Sequence, residues 1–319
     1  MKTNSICKII VSGLLAAVPL MGMAQQVCGN KPWSVRMAES EMVRCPESWQ
    51  LDFQTRLKWD YCHGLELQAM LDVYDAYGDK KFFDYAVAYA DTMIHQDGSI
   101  ETYKLEEYNI DRLNSGKMLF RIYEQTKDEK YKKALDLLRS QLDTHPRNAD
   151  GGFWHKKIYE NQMWLDGLYM ACPFIAEYAR RFDRPEWTDL VVNEIRLMRE
   201  HTRDAKTGLW YHAWDESRKA DWCNPETGLA PEFWGRSIGW VPVAIQDVLA
   251  QMDPDDERRA ALELYVRDLL TSLLRYQSAD GRWYQVVNKG DQPGNWFSFM
   301  LVSVCLFPVN LCKPEISDE

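Results

Sequence analysis

The sequence predicts an all-α fold of stacked helical hairpins arranged in a ring. Three observations carry this. Apolar residues recur at helical spacing along most of the chain, and strand-like alternation is scarce. Short turns such as Tyr77-Gly-Asp-Lys80 and Asp183-Arg-Pro185, with Asp128 in a third, separate the helices in pairs. Between pairs a glycine signal returns, mostly with aromatics: Asp97-Gly98, Asp150-Gly-Gly-Phe-Trp-His155, Thr207-Gly-Leu-Trp-Tyr-His212 and Asp280-Gly-Arg-Trp-Tyr284. A hairpin unit repeated every ~50–70 residues buries one face only against its neighbours, so the units must stack. Closed into a ring, they would make an inner helix barrel with the loops gathered at one end.

In chain order, Met1–Ala24 reads as a secretory signal. Lys2 and Lys8 give the basic start, Ile9–Leu20 the apolar stretch, and Met21-Gly-Met-Ala24 the small-residue cleavage site. The expectation is an exported, periplasmic protein with no membrane span after signal removal. Residues 25–319 form one domain, because no low-complexity linker interrupts Lys31–Gln277. The helices expected there are Ser34–Arg44, Tyr61–Tyr77, Lys81–Ile94, Leu113–Gln125, Glu129–Asp143, Gln162–Arg181, Glu186–Thr202, Gly235–Gln251 and Asp255–Gln277.

The stretch Asn161–Tyr178 is apolar almost all round, so its helix is expected to be buried on every side. Its first turn carries one carboxylate, Asp166. Two readings follow. Asp166 caps the helix or complements its dipole. Otherwise it is an enclosed proton donor, with desolvation opposing its ionisation more strongly than the dipole favours it.

Composition narrows the function. The chain has 319 residues, 13 Trp, 16 Tyr and a formal charge of −10, or −12 once Lys2 and Lys8 leave. Such acidity disfavours nucleic-acid binding, which needs a basic surface. The indole content suits either sugar faces or core packing. Of 8 Cys, Cys7 leaves with the signal. The remaining seven are irregularly spaced, which argues against a disulfide scaffold or a zinc site, although a Cys28–Cys45 bridge is compatible with the spacing.

Four loop regions carry the residues for chemistry. They are Trp59–Gly64 with Tyr61, Tyr108–Lys117 with Asp111, Trp154–Asp166 with His155, and Trp210–Asp215 with His212, beyond which lie Trp234 and Arg236. Asp111 and Asp166 are the best carboxylate pair, and two acids at a ring mouth suggest glycosidic chemistry. Asp111 also reads as the N-cap of a helix starting near Leu113. The two histidines also read as packed, hydrogen-bonded residues. Arg236 could clamp a carboxylate with its planar fork or stack as a structural arginine. Lys156-Lys157 reads as a solvated loop tip. No phosphate loop, Ser-His-Asp grouping or nucleophilic cysteine signature stands out.

Together these segments resemble glycoside hydrolase family 105, the unsaturated rhamnogalacturonyl hydrolases. The match runs through Gly152-Phe-Trp-His-Lys156, Tyr159, Asn161-Gln-Met-Trp-Leu-Asp-Gly-Leu-Tyr-Met170, Gly208-Leu-Trp-Tyr-His-Ala-Trp-Asp-Glu-Ser217, Trp234-Gly-Arg-Ser-Ile-Gly-Trp240 and Asp280-Gly-Arg-Trp-Tyr-Gln285. The resemblance implies a six-hairpin α/α toroid without metal or cofactor. It implies removal of a 4,5-unsaturated galacturonyl residue from the non-reducing end of a rhamnogalacturonan oligosaccharide, by hydration of the enol-ether double bond. The substrate is an anionic oligosaccharide, and no protein partner is implied. Asp166 falls on the family's general acid and Asp111 on its second acid. His155, His212, Trp234 and Arg236 fall on active-site positions, and Tyr61 is assigned to the substrate pocket. The clamp role of Arg236 is an inference from its chemistry, outside the match.

After Trp296 the family pattern is lost. The chain reads Phe297-Ser-Phe-Met-Leu-Val-Ser-Val-Cys-Leu-Phe-Pro308 and stops at Glu319. The expectation is a frameshift or natural truncation that leaves the toroid incomplete at its C-terminal end. Three alternatives stand beside the main reading: an unsaturated glucuronyl hydrolase of the related family 88 acting on glycosaminoglycan fragments, an inactive sugar-binding remnant, and a two-carboxylate glycosidase acting on saturated substrates.

Overall fold

The computed structural model describes residues 31–290 together with Gln292, Asn295, Phe297 and Ser298. The expected signal, Cys28, Cys305, Cys312 and the tail beyond Ser298 lie outside the described residues. The fold is helical: α1 (Trp33–Arg44), α2 (Tyr61–Tyr77), α3 (Lys80–Met93), α4 (Asp111–Asn114), α5 (Lys117–Thr126), α6 (Glu129–Thr144), α7 (Leu165–Arg181), α8 (Glu186–Thr202), α9 (Gly235–Gln251) and α10 (Arg258–Leu274).

Each hairpin turn has a local cause. Gly78 ends α2 at φ 73°, a left-handed position that favours glycine, and Asp79 then accepts the Lys81 N–H to start α3. Asp128 does the same for α6 through the Lys130 N–H. The second member of each hairpin, α3, α6, α8 or α10, packs on the first from outside. The inner members α2, α4–α5, α7 and α9 pack against one another in that order.

The helix expected over Leu113–Gln125 instead starts at Asp111 and breaks at Ser115-Gly116. The packing accounts for the break. A Cβ on Gly116 would lie 2.6 Å from Leu138 Cδ1 and 2.8 Å from Phe174 Cε2. Ser115 and Asn114 turn their side chains to the Asp60 and Tyr61 carbonyls on α2's first turn. The other correction is at Gln162–Trp164, expected as helix. These residues form a strand, β1, antiparallel to β2 (Ala213–Asp215) with Trp164 opposite Ala213. A second small pair joins β3 (Trp283–Tyr284) to β4 (Phe297–Ser298).

Nearly all of α7 is buried, as its apolar surface demands. Buried Trp59, Trp210 and Trp283 serve as pegs of the core, with Trp59 and Trp283 donating to the Arg112 and Leu273 carbonyls. Each such large side chain contributes about 1.5–3 kcal/mol or more, against about 0–1 kcal/mol for an exposed ion pair. The ring therefore rests on its core. Cys45, Cys62, Cys172 and Cys223 form no disulfide with one another. A groove of about 670 Å³ opens between α1 and the face of α2, lined by Met37, Phe53, Met70, Val73 and Tyr77.

Inner helices share one polarity. Each starts at the end where the glycine-aromatic loops lie, and those loops are stitched by β1–β2 and by single bridges at Asn109–Lys156 and Trp234–Val286. The first turns of four inner helices therefore face one mouth.

Candidate active site

The candidate residues occupy those first turns. Tyr61 opens α2, Asp111 opens α4, Asp166 is second in α7 and Arg236 is second in α9. His155 lies ahead of β1 and α7, His212 immediately precedes β2, and Trp234 is the residue before α9.

Asp166 is buried, yet it makes no cap. Its carboxylate turns across to α9, where the Ser237 hydroxyl donates to Oδ2 and Arg236 Nη2 stands 3.8 Å from Oδ1. The helix N-cap is Trp164, without a side-chain bond. The enclosure is not the purely apolar box the sequence suggested, since a hydroxyl and a guanidinium share it. Arg236 lies 4.1 Å over the Trp234 ring and also reaches the Tyr61 hydroxyl. Burial, then contact with Cys62, pushes the Tyr61 phenol up to about 12, so it stays neutral and can donate.

Asp111 is not a cap either. The Asn109 side chain accepts the Asp111 N–H, and Asp111 faces the next loop. His155 Nε2 stands 3.2 Å from Oδ1 and Lys156 Nζ 2.6 Å from Oδ2. Burial alone would raise this carboxyl. His155 first and then Lys156 outweigh it by charge and hydrogen bonding, and hold the group far below the ordinary carboxylate range.

The histidines link the two acids. The His155 ring stacks on Trp164 at 5.1 Å and lies against Gly167, where a Cβ would fall 3.2 Å from Nδ1. Tyr159 extends the stack, 5.0 Å from Trp164. His212 meets Trp164 edge-on at 6.0 Å and Trp234 at 5.9 Å. Burial pushes the His212 imidazole down despite Asp166 nearby, so it is neutral near neutral pH. Neither His155 Nδ1 nor His212 Nδ1 has a hydrogen-bond partner among the described residues.

All seven sequence candidates thus join in one chain of contacts, from Asp111 through His155, Trp164, His212, Trp234 and Arg236 to Asp166 and Tyr61. A profile of glycosyl hydrolase family 88 matches residues 33–300. A solved glycoside hydrolase from family 105 of C. acetobutylicum superposes with a TM-score of 0.82 at 39% identity, over 89% of this chain and 79% of that one. The chain belongs to the family 88 and 105 glycoside hydrolases. Protein Atu3128 of Agrobacterium fabrum is 35% identical over 40% of this chain and 54% of its own length, so this chain matches about half of that relative. The unsaturated rhamnogalacturonyl hydrolase YesR of Bacillus subtilis is 23% identical over 75% of this chain and 67% of its own. The mostly helical architecture is the α/α toroid of these families.

Several residues of this glycoside hydrolase site escaped the sequence. Lys156 reads as a loop tip because its partner, Asp111, is remote in the chain. Ser237 carries no local signal. Trp164 reads as a core residue of α7, yet it sits before the helix and forms the wall between the two histidines. The repeat of aromatics immediately ahead of inner helices was the signal that could have found it.

Proposed function

We propose that this glycoside hydrolase removes a 4,5-unsaturated galacturonyl residue from the non-reducing end of rhamnogalacturonan oligosaccharides, by hydration of the double bond. One observation supports this above the others: a guanidinium and a buried carboxyl stand 3.8 Å apart in an aromatic pocket. In a 4,5-unsaturated uronate, the carboxylate sits on C5 and the carbon to be protonated is C4, its neighbour. An anion clamp and a proton donor for this substrate must therefore be adjacent. A bidentate Arg–carboxylate pair closes to about 2.7–2.9 Å, so the longer Arg236–Asp166 separation leaves the fork available to the uronate.

Asp166, in its acid form, gives its proton to C4. Positive charge develops at C5 and the ring oxygen, and water adds its oxygen to C5 while its proton passes to Asp166. The resulting hemiketal opens and the leaving sugar departs with a hydroxyl. Neutral His212 and the Tyr61 hydroxyl orient water and substrate. Asp111, held as an anion, orients His155. Trp234 and Trp164 offer faces to the planar unsaturated ring. An exported, periplasmic location belongs to the same proposal.

The family 88 match favours one second reading, an unsaturated glucuronyl hydrolase on glycosaminoglycan fragments. The test is loss of the ultraviolet absorbance of the conjugated uronate from lyase-digested rhamnogalacturonan. Asp166→Asn is run beside wild type, with helicity checked for both. Turnover by wild type alone supports the proposal. Turnover only of lyase-digested glycosaminoglycan moves the substrate to the second reading. Binding without turnover of either, by folded protein, favours the inactive remnant.

A further inference from the structure

Lys156 is no loop tip. Its ammonium lies 2.6 Å from Asp111 Oδ2 and 5.5 Å from the centre of the Tyr159 ring, with 21% of the side chain exposed. His155, the residue before it, takes the other carboxylate oxygen. The backbone locks this arrangement, because Asn109 bridges Lys156 and the Ile110 N–H donates to the His155 carbonyl at 3.1 Å. A carboxylate engaged at both oxygens is an acceptor with no proton to give.

We propose that Lys156 is a positioning residue that keeps Asp111 an anion aligned on His155, and so fixes the His155 imidazole beside Asp166. The two acids are held differently: Asp111 is engaged at both oxygens by His155 and Lys156, whereas Asp166 takes the Ser237 hydroxyl and stands 3.8 Å from Arg236. This deepens the function proposed above and rests on it for the identity of the reaction. Lys156 is the second of the two cationic side chains that reach Asp111, after His155. Arg112, on the same helix, turns instead to the Trp59 carbonyl and lies 3.8 Å from Glu107. Asp166, on α7, precedes Gly167, against which the His155 ring lies. Without Lys156, only His155 opposes the burial that pushes the Asp111 carboxyl up.

The experiment uses the full chain as wild type, Lys156→Met and Lys156→Arg, each checked for helicity. Lys156→Gln, which keeps a donor without the charge, serves if the methionine variant does not fold. The first readout needs no turnover: the carboxyl carbon of labelled Asp111 is titrated by NMR, with Asp111→Asn for assignment. Its midpoint should rise by about one pH unit or more in Lys156→Met and stay low in Lys156→Arg. The second readout is the reaction itself. Lys156→Met should lower kcat on the order of 100-fold with little change in KM. The acidic limb of its pH profile should move up with the NMR midpoint, and Lys156→Arg should restore both. An unmoved midpoint, or a loss confined to KM, overturns the proposal. A midpoint that moves in a protein whose wild type does not turn over the substrate overturns the substrate reading alone.

Discussion

Arg236 Nη2 stands 3.8 Å from Asp166 Oδ1, across the seam between α9 and α7, with the Trp234 face beneath the guanidinium. Each residue lies in the first turn of its helix, so two helix N-termini add their partial positive charge where an anionic sugar would dock. Arg236 and those termini give an acidic protein a local site for an anion.

Arg236→Lys keeps the charge and loses the planar fork and the stacking on Trp234. It should raise KM and lower kcat/KM by about 10- to 100-fold, the worth of a charge-assisted hydrogen bond. Arg236→Met should cost more. Steady-state kinetics with the ultraviolet assay read both. An unchanged KM in Arg236→Met would remove the clamp from the mechanism.

Gly64 is where α2 and α4 meet backbone to backbone. A Cβ there would fall 2.5 Å from Ser115 Cα, which no flexible side chain can relieve. Gly64→Ala should destabilise the fold by about 1–3 kcal/mol, as overpacking does. It should also disturb the Asn114 bond to the Tyr61 carbonyl that ties α2 to α4. Urea denaturation measures the first effect, and an increased KM would report the second.

These cases show what a sequence can disclose. Asp166 was legible because it is the one acid in the apolar first half of its helix and has no ordinary place to go there. The seven candidates converge because every loop-to-inner-helix junction repeats at the same end of the ring, and a repeat is readable locally. Lys156 and Ser237 were illegible because their meaning lies in partners on other hairpins. Gln162–Trp164 fits helix and strand periods equally over so few residues, and only its pairing with Ala213–Asp215 decides. Neither the closeness of Gly64 to Ser115 nor the break at Gly116 leaves a mark in local propensity.

Glu194 is a buried carboxyl that the chemistry does not use. It accepts the Phe153 N–H at 3.2 Å, beneath the loop that carries His155. Burial, opposed by that bond and by Arg147, pushes its carboxyl up to about 8 from 4.5. The folded state thus holds a proton that the unfolded chain releases, and stability should fall as pH rises from about 4.5 to about 8. Glu194→Gln keeps an acceptor for Phe153 and removes the titration. Thermal melts should show a decline in wild type above about pH 6.5, where no histidine slope offsets it, that is blunted in Glu194→Gln. Parallel declines would refute the assignment.

His145 works in the opposite sense. Its Nε2 donates to the Trp154 carbonyl at 2.7 Å, and the Gln141 amide donates to Nδ1 at 3.3 Å, which leaves no place for a second ring proton. Burial, against the pull of the Trp154 carbonyl, lowers the imidazole to about 4 from 6.5. Below about 6.5 the unfolded chain binds a proton that the folded one refuses, so stability should fall as pH drops toward about 4. Over the shared window the His145 and Glu194 slopes have opposite sign and offset one another. The two groups together predict a plateau of stability from about 4.5 to about 6.5, with a decline on either side. His145→Gln should flatten the acid side and turn the plateau into a fall with rising pH, whereas Glu194→Gln should flatten the alkaline side and turn the plateau into a rise. Urea midpoints at closely spaced pH values would show this. A single variant that flattened both sides would mean that the two groups titrate as one unit, through the Phe153–His155 loop that lies between them.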